Sequence, residues 1–148
     1  MSNLYDRYKV RFRHSKDSLS RATYDDAELD SSAFDAQQSM EFLIKYILDN
    51  KNISYKKTHD INYLLSLLDD FSFELKDKAL SMAKDITTWE ESSRYGSGVA
   101  TTINLIRECH RIIESIDSAW IKLNKPDDED STKKSSVNDL LSKAEGNK

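Results

Sequence analysis

The first 95 residues of this chain contain neither glycine nor proline, and the first glycine is Gly96. Tight hairpins need turn residues with positive φ angles, which glycine adopts most readily. A sheet built from such hairpins is therefore excluded for this part of the chain, whereas long helices joined by polar connections suit it. The sequence predicts an all-α fold.

Apolar residues recur at intervals of three and four along most of the chain, which is the spacing of a helix with one buried face. The pattern predicts an antiparallel bundle of about five helices, with a four-helix up-and-down core plus one short helix. We expect a first helix before Arg21, a second over residues 32–50, a short third opened by Asp60, a fourth over residues 73–92, and a last long helix after the Gly96 corner.

Short polar residues stand where two of these helices are expected to begin. Such side chains cap helices because they accept hydrogen bonds from the first backbone N–H groups. For the second helix the sequence offers Asp30, Ser31 and Ser32 as caps, and for the short third helix it offers Thr58 and Asp60.

The charge of the chain changes along its length, although the total is only −4. Residues 1–21 have a balance of +4, and residues 22–124 have a balance of −7. The basic first segment could steer a phosphate-bearing partner, or it could dock onto the acidic body of its own chain. After Leu123 the sequence is charged and poor in apolar residues, so we predict a helical domain over residues 1–124 and a mobile tail over residues 125–148.

Several classes of protein are excluded by composition. No apolar run approaches the roughly 20 residues that cross a bilayer. The opening residues MSNLYDRYKVRF lack the apolar stretch of a secretory signal, so we expect a cytoplasmic protein that does not enter a membrane. The single cysteine, Cys109, excludes an internal disulfide, and the three histidines form no metal-ligand cluster. We therefore expect no metal and no cofactor.

Few residues offer catalytic chemistry. Gly96 and Gly98 are followed by no P-loop lysine, which excludes that kind of phosphate cradle. Cys109 and His110 are neighbours on a helix and point about 100° apart, so they do not form a nucleophile–base pair. His110 lies on the apolar stripe, and we interpret it as a core or interface histidine with one hydrogen bond, with catalysis as the alternative.

Two groups of charged residues leave alternatives open. Arg107 and Arg111 are one helical turn apart and could grip a phosphate together, or Glu108 and Glu114 could neutralise them as surface pairs. The carboxylates of residues 25–30 could bind a cation, or they could form a solvated connector that initiates the second helix.

Three stretches of the sequence together resemble a known family. Residues 33–45, AFDAQQSMEFLIK, are similar to the A-F-H-A-Q-Q-A-A-E-K-A-L-K helix of HEPN domains (higher eukaryotes and prokaryotes nucleotide-binding). Residues 58–61, THDI, resemble the T-H-D-L start of that family's next helix, and residues 93–95, SRY, resemble its arginine–tyrosine corner. The order and the spacing agree over about residues 8–116, although Asp35 stands where histidine is common in the family.

The resemblance implies an antiparallel helical bundle that forms homodimers and acts beside nucleotides or RNA. A small nucleotidyltransferase is the partner implied, in a toxin–antitoxin or defence pair. On the positions that match the motifs, the resemblance implies these ligand-binding residues: Gln37, Gln38, Glu41, Lys45, His59, Asp60, Arg94 and Tyr95. Gln37 and Gln38 are expected to point to different sides of their helix.

Three functions follow from these observations. Family members that cleave RNA without a metal have a histidine four to six residues after the arginine, and none stands there after Arg94. The first hypothesis is therefore a non-catalytic module that binds nucleotide or RNA. The second is a metal-independent ribonuclease toxin in which Arg94 stabilises phosphate charge and His59 or His110 moves the proton. The third is a purely structural interaction protein.

Overall fold

The helices predicted from the sequence are present in the computed structural model, which describes residues 3–22, 25–89 and 102–124 and the backbone of residues 143–144 and 146–147. In that part of the chain there are five helices: α1 Leu4–Arg21, α2 Asp26–Asn50, α3 Ile61–Ser66, α4 Lys76–Thr87 and α5 Ile103–Leu123. Two strands of two residues each, β1 Lys143–Ala144 and β2 Gly146–Asn147, pair in antiparallel orientation. The predicted all-α fold class is confirmed.

The start of α2 differs from the prediction. We expected the helix to begin near residue 32, but it begins at Asp26, and its cap is Asp25, whose Oδ1 accepts a hydrogen bond from the Ala27 N–H at 2.8 Å. Of the carboxylates for which a cation site and a solvated connector were both open, Asp25 forms the cap, and Asp26 and Glu28 lie in the first turn. Negative charge is favourable at this position because it faces the positive end of the helix dipole. The apolar stripe alone missed this turn because it lies beyond the core.

The start of α3 agrees with the prediction. Asp60 is its N-cap and accepts a hydrogen bond from the Tyr63 N–H at 3.2 Å, while Thr58 Oγ1 accepts one from the Asp60 N–H at 3.0 Å. The short predicted helix is thus held by both residues that the sequence offered as caps.

Helix α4 is shorter than the predicted span of residues 73–92. It begins at Lys76 because the preceding residues bend so that Phe71 and Phe73 enter the core. The Lys76 ammonium fixes this bend by donating hydrogen bonds to the carbonyl oxygens of Leu68, Asp69 and Phe71 at 3.2, 3.0 and 2.8 Å. The helix ends at Thr87, and the Gly96 corner that we predicted lies outside the described residues.

The core forms around α2, which packs against each of the other four helices. Helix α1 lies along α2 as a helical hairpin, and α5 covers the remaining apolar face. The centre of α2 contributes side chains with no exposed surface: Ala36, Met40, Leu43, Ile44, Ile47 and Leu48. Burying such side chains stabilises a domain by about 1.5–3 kcal/mol each relative to leaving them exposed. The α2 surface beside this core is therefore held rigidly.

No helix within the described ranges is long and apolar enough to cross a membrane. The boundary that we predicted between residues 124 and 125 stays a prediction, because most of the predicted tail lies outside the described residues.

Candidate functional site

The Glu41 carboxylate joins two of the three stretches that resemble HEPN motifs. Glu41 lies on α2, and its Oε2 accepts a hydrogen bond from Lys45 Nζ one turn later, at 2.8 Å. His59, in the connector before α3, places its Nδ1 at 3.0 Å from Oε1 and 3.1 Å from Oε2 of the same carboxylate. We call these three residues the Glu41 cluster. All three were predicted as ligand-binding residues, and the fold brings them together.

Burial gives the Glu41 cluster its electrostatic character. The Glu41 side chain is 2% exposed, that of Lys45 is 14% exposed and that of His59 is 60% exposed. A buried carboxylate is costly unless positive or donor groups surround it, and here an ammonium and an imidazole do so. Because a carboxylate accepts hydrogen bonds, it favours the His59 form that carries a proton on Nδ1. The carboxylate therefore orients both nitrogen-bearing side chains at the border of the core.

Two tyrosines flank the Glu41 cluster. Lys45 Nζ lies 5.8 Å from the centre of the Tyr55 ring. Burial, with a smaller effect from the hydrogen bond to Asp49, raises the pKa of Tyr55 to about 12. Farther along, Lys56 Nζ lies 4.8 Å from the centre of the Tyr63 ring, whose hydroxyl oxygen accepts a hydrogen bond from the Lys56 N–H at 3.2 Å. This surface combines aromatic rings with primary ammonium groups.

The other predicted site residues lie in different environments. Gln37 has no exposed surface and lies inside the bundle, whereas Gln38 is half-buried, so the prediction that they point to different sides is confirmed. The Asp60 side chain caps α3 through its bond to Tyr63. Arg94 and Tyr95 lie outside the described residues, so their predicted role stays a prediction.

His110 lies in the core, in agreement with its interpretation as a core or interface histidine. It is 8% exposed, and its Nε2 lies 2.7 Å from the Oγ of the fully buried Ser15. Burial, helped by the nearby charge of Lys16, lowers the pKa of His110 to about 4. A neutral imidazole enclosed in this way cannot reach a substrate. Its neighbour Cys109 is also fully buried, and burial raises the pKa of its thiol.

Charged residues on α1 and α5 form pairs with their own chain. The Arg111 guanidinium hydrogen-bonds Glu108 and lowers the pKa of that carboxyl. This contact favours the surface-pair interpretation over a phosphate grip by Arg107 and Arg111. The basic groups of α1 likewise face carboxylates of the body: Arg11 with Asp35 at 3.2 Å, Arg21 with Glu28 at 3.0 Å and Lys16 with Glu114 at 3.8 Å. These pairs favour docking of the first segment onto its own chain.

Sequence reasoning missed a tyrosine pair that grips one carboxylate. Tyr5 donates to Oδ1 of Asp117 at 2.8 Å, and Tyr8 donates to Oδ2 at 3.1 Å. Burial raises the pKa of both phenols, that of Tyr5 to about 12. Tyr8 and Asp117 border a groove of about 460 Å³ between α1 and α5. No local signal reveals it, because Tyr5 and Asp117 are 112 residues apart.

Chemically, the arrangement offers donors and rings rather than a metal centre. Among the described residues, no group of three or more His, Cys, Asp or Glu side chains is placed to hold a metal ion. Lysine and histidine nitrogens are groups that bind phosphate. Tyrosine rings are groups that stack on nucleic-acid bases.

Comparison with known proteins gives one positive finding. A family model described as HEPN domain matches residues 8–116, which include most of α1, all of α2 to α4 and most of α5. The Glu41 cluster lies inside this match. Neither the search of curated proteins nor the search of solved structures gives a match.

Proposed function

This chain belongs to the HEPN domain family, and on that premise we propose that it is a non-catalytic helical module that binds nucleotide or RNA. HEPN domains are nucleotide- or RNA-related helical modules that commonly dimerise and bind RNA. The single observation that carries the proposal for this chain is the Glu41 cluster. It unites residues from two family-like stretches in one place, with nitrogen donors at the border between core and solvent.

The cluster suits a phosphate-bearing ligand. Lys45 is held by Glu41 at 2.8 Å, so its ammonium is already positioned and loses little side-chain freedom when a ligand binds. Lys56 and Lys57, both exposed in the adjoining connector, add positive charge to the same surface. The Tyr55 ring, partly buried against the core, lies beside Lys45 at the same surface and adds an aromatic group of the kind that contacts nucleobases.

Calorimetric titration with AMP, ATP and a short RNA tests this proposal. We expect heat of binding with the native chain and about tenfold weaker binding after Lys45→Gln, because one charge-assisted phosphate contact is lost. Circular dichroism of the variant establishes that it is folded, since Lys45 also neutralises the buried Glu41. Lys84→Gln, an exposed lysine on α4, is the matched control and should bind as the native chain does. Absence of heat with all three ligands would remove the proposal.

The oligomeric state and the partner are parts of the same proposal. We propose a cytoplasmic homodimer that acts with a minimal nucleotidyltransferase in a toxin–antitoxin or defence pair, as the resemblance implies. Light scattering on the full chain measures the mass, and co-purification with the product of the adjacent gene tests the partner. A monomer at all concentrations would contradict the dimer, and it would equally contradict a purely structural assembly protein.

One observation favours a second function, a metal-independent ribonuclease toxin. The Glu41 carboxylate orients His59 in the way that acidic residues orient catalytic histidines, so His59 is a better base for this chemistry than the buried His110. Expression of the chain should then arrest growth, and both Arg94→Ala and His59→Ala should abolish the arrest. Persistence of the arrest in these variants, or its absence with the native chain, would exclude the ribonuclease.

A further inference from the structure

Three cation–aromatic pairs follow one another across the surface formed by α1, α2 and the start of α3. The Arg7 guanidinium lies 5.4 Å from the centre of the Phe42 ring. The ammonium groups of Lys45 and Lys56 lie 5.8 and 4.8 Å from the centres of the Tyr55 and Tyr63 rings. We call these six residues the cation–aromatic track.

The three pairs are continuous. Phe42 and Lys45 are three residues apart on α2, so their side chains are neighbours on its surface. Tyr55 and Lys56 are adjacent in the connector, and the backbone of Lys56 is hydrogen-bonded to the Tyr63 hydroxyl at 3.2 Å. The first and last cations of the track are exposed.

The end cations are also available for a ligand. Within residues 3–22, 25–89 and 102–124, neither Arg7 nor Lys56 forms an ion pair with a carboxylate. The carboxylates nearest the middle of the track are engaged, since Glu41 holds Lys45 and Asp49 is hydrogen-bonded to Tyr55. The track therefore presents positive charge at its two ends, Arg7 and Lys56, with partly buried rings and the neutralised Lys45–Glu41 pair between them.

We propose that the cation–aromatic track binds single-stranded RNA over several consecutive nucleotides. This inference rests on the proposed function and extends it from a single phosphate at the Glu41 cluster to a strand that crosses three helices. Single strands bind proteins through cations that follow the backbone and aromatic or guanidinium planes on which unstacked bases lie. A duplex keeps its bases inside the helix, so its bases cannot use the rings.

Two further cation–aromatic pairs on α1 do not share these properties. Lys9 and Lys16 lie 5.1 and 4.8 Å from the ring centres of Tyr5 and Phe12, on the side of α1 that faces α5. The groove there is lined by three carboxylates, Asp17, Glu114 and Asp117, beside three cations, Lys9, Arg13 and Lys16, so its charges balance, and Lys16 itself pairs with Glu114 at 3.8 Å. Lys16 is thus a matched control, because it has the same kind of pair outside the track.

Fluorescence anisotropy with labelled oligouridylates of one, three, six and nine nucleotides tests the inference. We expect the affinity to rise at least tenfold from one to about three or four nucleotides and then to level off, because three rings accept about three bases. Arg7→Ala and Lys56→Ala should each weaken binding of the six-nucleotide RNA about tenfold. Each should also reduce the slope of log affinity against log salt by about 0.7. Lys16→Ala should change neither quantity.

A ring substitution separates stacking from charge. Tyr63→Leu should lower the affinity for the six-nucleotide RNA about tenfold, while Tyr63→Phe, which keeps the ring, should retain it. Circular dichroism of each variant shows whether the helices are intact. If Tyr63→Leu does not fold, the Arg7 and Lys56 variants, which are exposed, carry the test.

Three results would overturn the inference. They are equal affinity for one and six nucleotides, equal competition by a blunt RNA duplex, and equal binding by the Arg7→Ala, Lys56→Ala and Lys16→Ala variants. If AMP or ATP still binds in a Lys45-dependent way, such results leave the proposed function standing and remove only the track. If no nucleotide or RNA of any length binds, both fail together.

Discussion

The Oγ atom of Ser15 lies 2.7 Å from the Nε2 atom of His110, and this contact joins α1 to α5 inside the core. Ser15 also donates to the Ser32 carbonyl oxygen at 2.8 Å, and the Ser32 hydroxyl donates back to the Ser15 carbonyl oxygen at 2.7 Å. Three helices thus share one buried polar network. Such networks are costly when one member is removed, because the remaining polar groups have no water to replace it.

Ser15→Ala should lower the free energy of unfolding by about 1–3 kcal/mol, because it leaves the buried Nε2 of His110 without its partner and removes the hydrogen bond to the Ser32 carbonyl oxygen. Urea unfolding followed by circular dichroism measures the change. The control is Ser20→Ala on the same helix, since Ser20 is exposed and bonds only the local Asp17 carbonyl among the described residues. Equal stability of the two variants would show that the network contributes nothing.

The stability of the chain should fall as the pH drops from about 6.5 to about 4 because of His110. Burial lowers its pKa from 6.5 to about 4 in the folded state, so in this window the unfolded chain binds more protons than the folded one. The stabilisation is fully present above about pH 6.5 and decreases by about 3 kcal/mol at most by about pH 4.

Urea unfolding at pH 7, 5.5 and 4.5 tests this dependence on the native chain and on His110→Gln. The carboxylates titrate in both proteins, so the difference between their pH profiles reports His110. We expect the His110→Gln profile to be flatter, while His14→Gln, an exposed histidine on α1, should follow the native profile. Parallel profiles for the native chain and His110→Gln would contradict the prediction.

The phenol of Tyr5 should ionise unusually late. Burial and the hydrogen bond to Asp117 raise its pKa from 10.0 to about 12. A raised pKa of a neutral acid stabilises the fold below the unfolded value of about 10, and this contribution is lost as the pH rises towards 12. Absorbance at the tyrosinate band during alkaline titration should lose one late transition in Tyr5→Phe. In Asp117→Asn the same transition should move to lower pH. If the titration curve changes in neither variant, the late transition does not belong to Tyr5.

The sequence predicted the helices at positions where apolar spacing or capping residues indicate them. The stripe of α2 and the Asp60 cap of α3 are local features, and both are present. The beginning of α4 could not be predicted, because the apolar spacing does not show the bend that Lys76 fixes by binding the carbonyl groups of Leu68, Asp69 and Phe71. Helix α2 begins earlier than predicted because its first turn is stabilised by charge rather than by burial.

The site was predictable only in part, because some of its contacts lie within one helical turn and others depend on how the chain folds. Glu41 and Lys45 are one turn apart, so their contact follows from helix geometry. The contact of His59 with Glu41 crosses 18 residues and depends on how the connector folds back onto α2. The resemblance supplied both residues, but only the fold shows that one carboxylate holds them. The Tyr5–Asp117 contact had no such guide, because neither residue lies in a family-like stretch.

Glu41→Gln should destabilise the chain more than any exposed charge change. The substitution removes the negative charge from a side chain that is 2% exposed and leaves the Lys45 ammonium, 14% exposed, without its counter-charge. Breaking a buried ion pair from one side costs about 3–5 kcal/mol, so the melting temperature should fall markedly.

The double variant Glu41→Gln with Lys45→Met distinguishes this cause from a general loss of packing. It removes both charges, and we expect it to recover part of the stability lost in Glu41→Gln, because no buried charge remains without a partner. Glu74→Gln, at an exposed position before α4, is the control and should change the free energy of unfolding by less than about 0.5 kcal/mol. A double variant less stable than Glu41→Gln by the full effect of Lys45→Met would mean that the two side chains act independently, and the ion pair within α2 would then not be what stabilises this buried carboxylate.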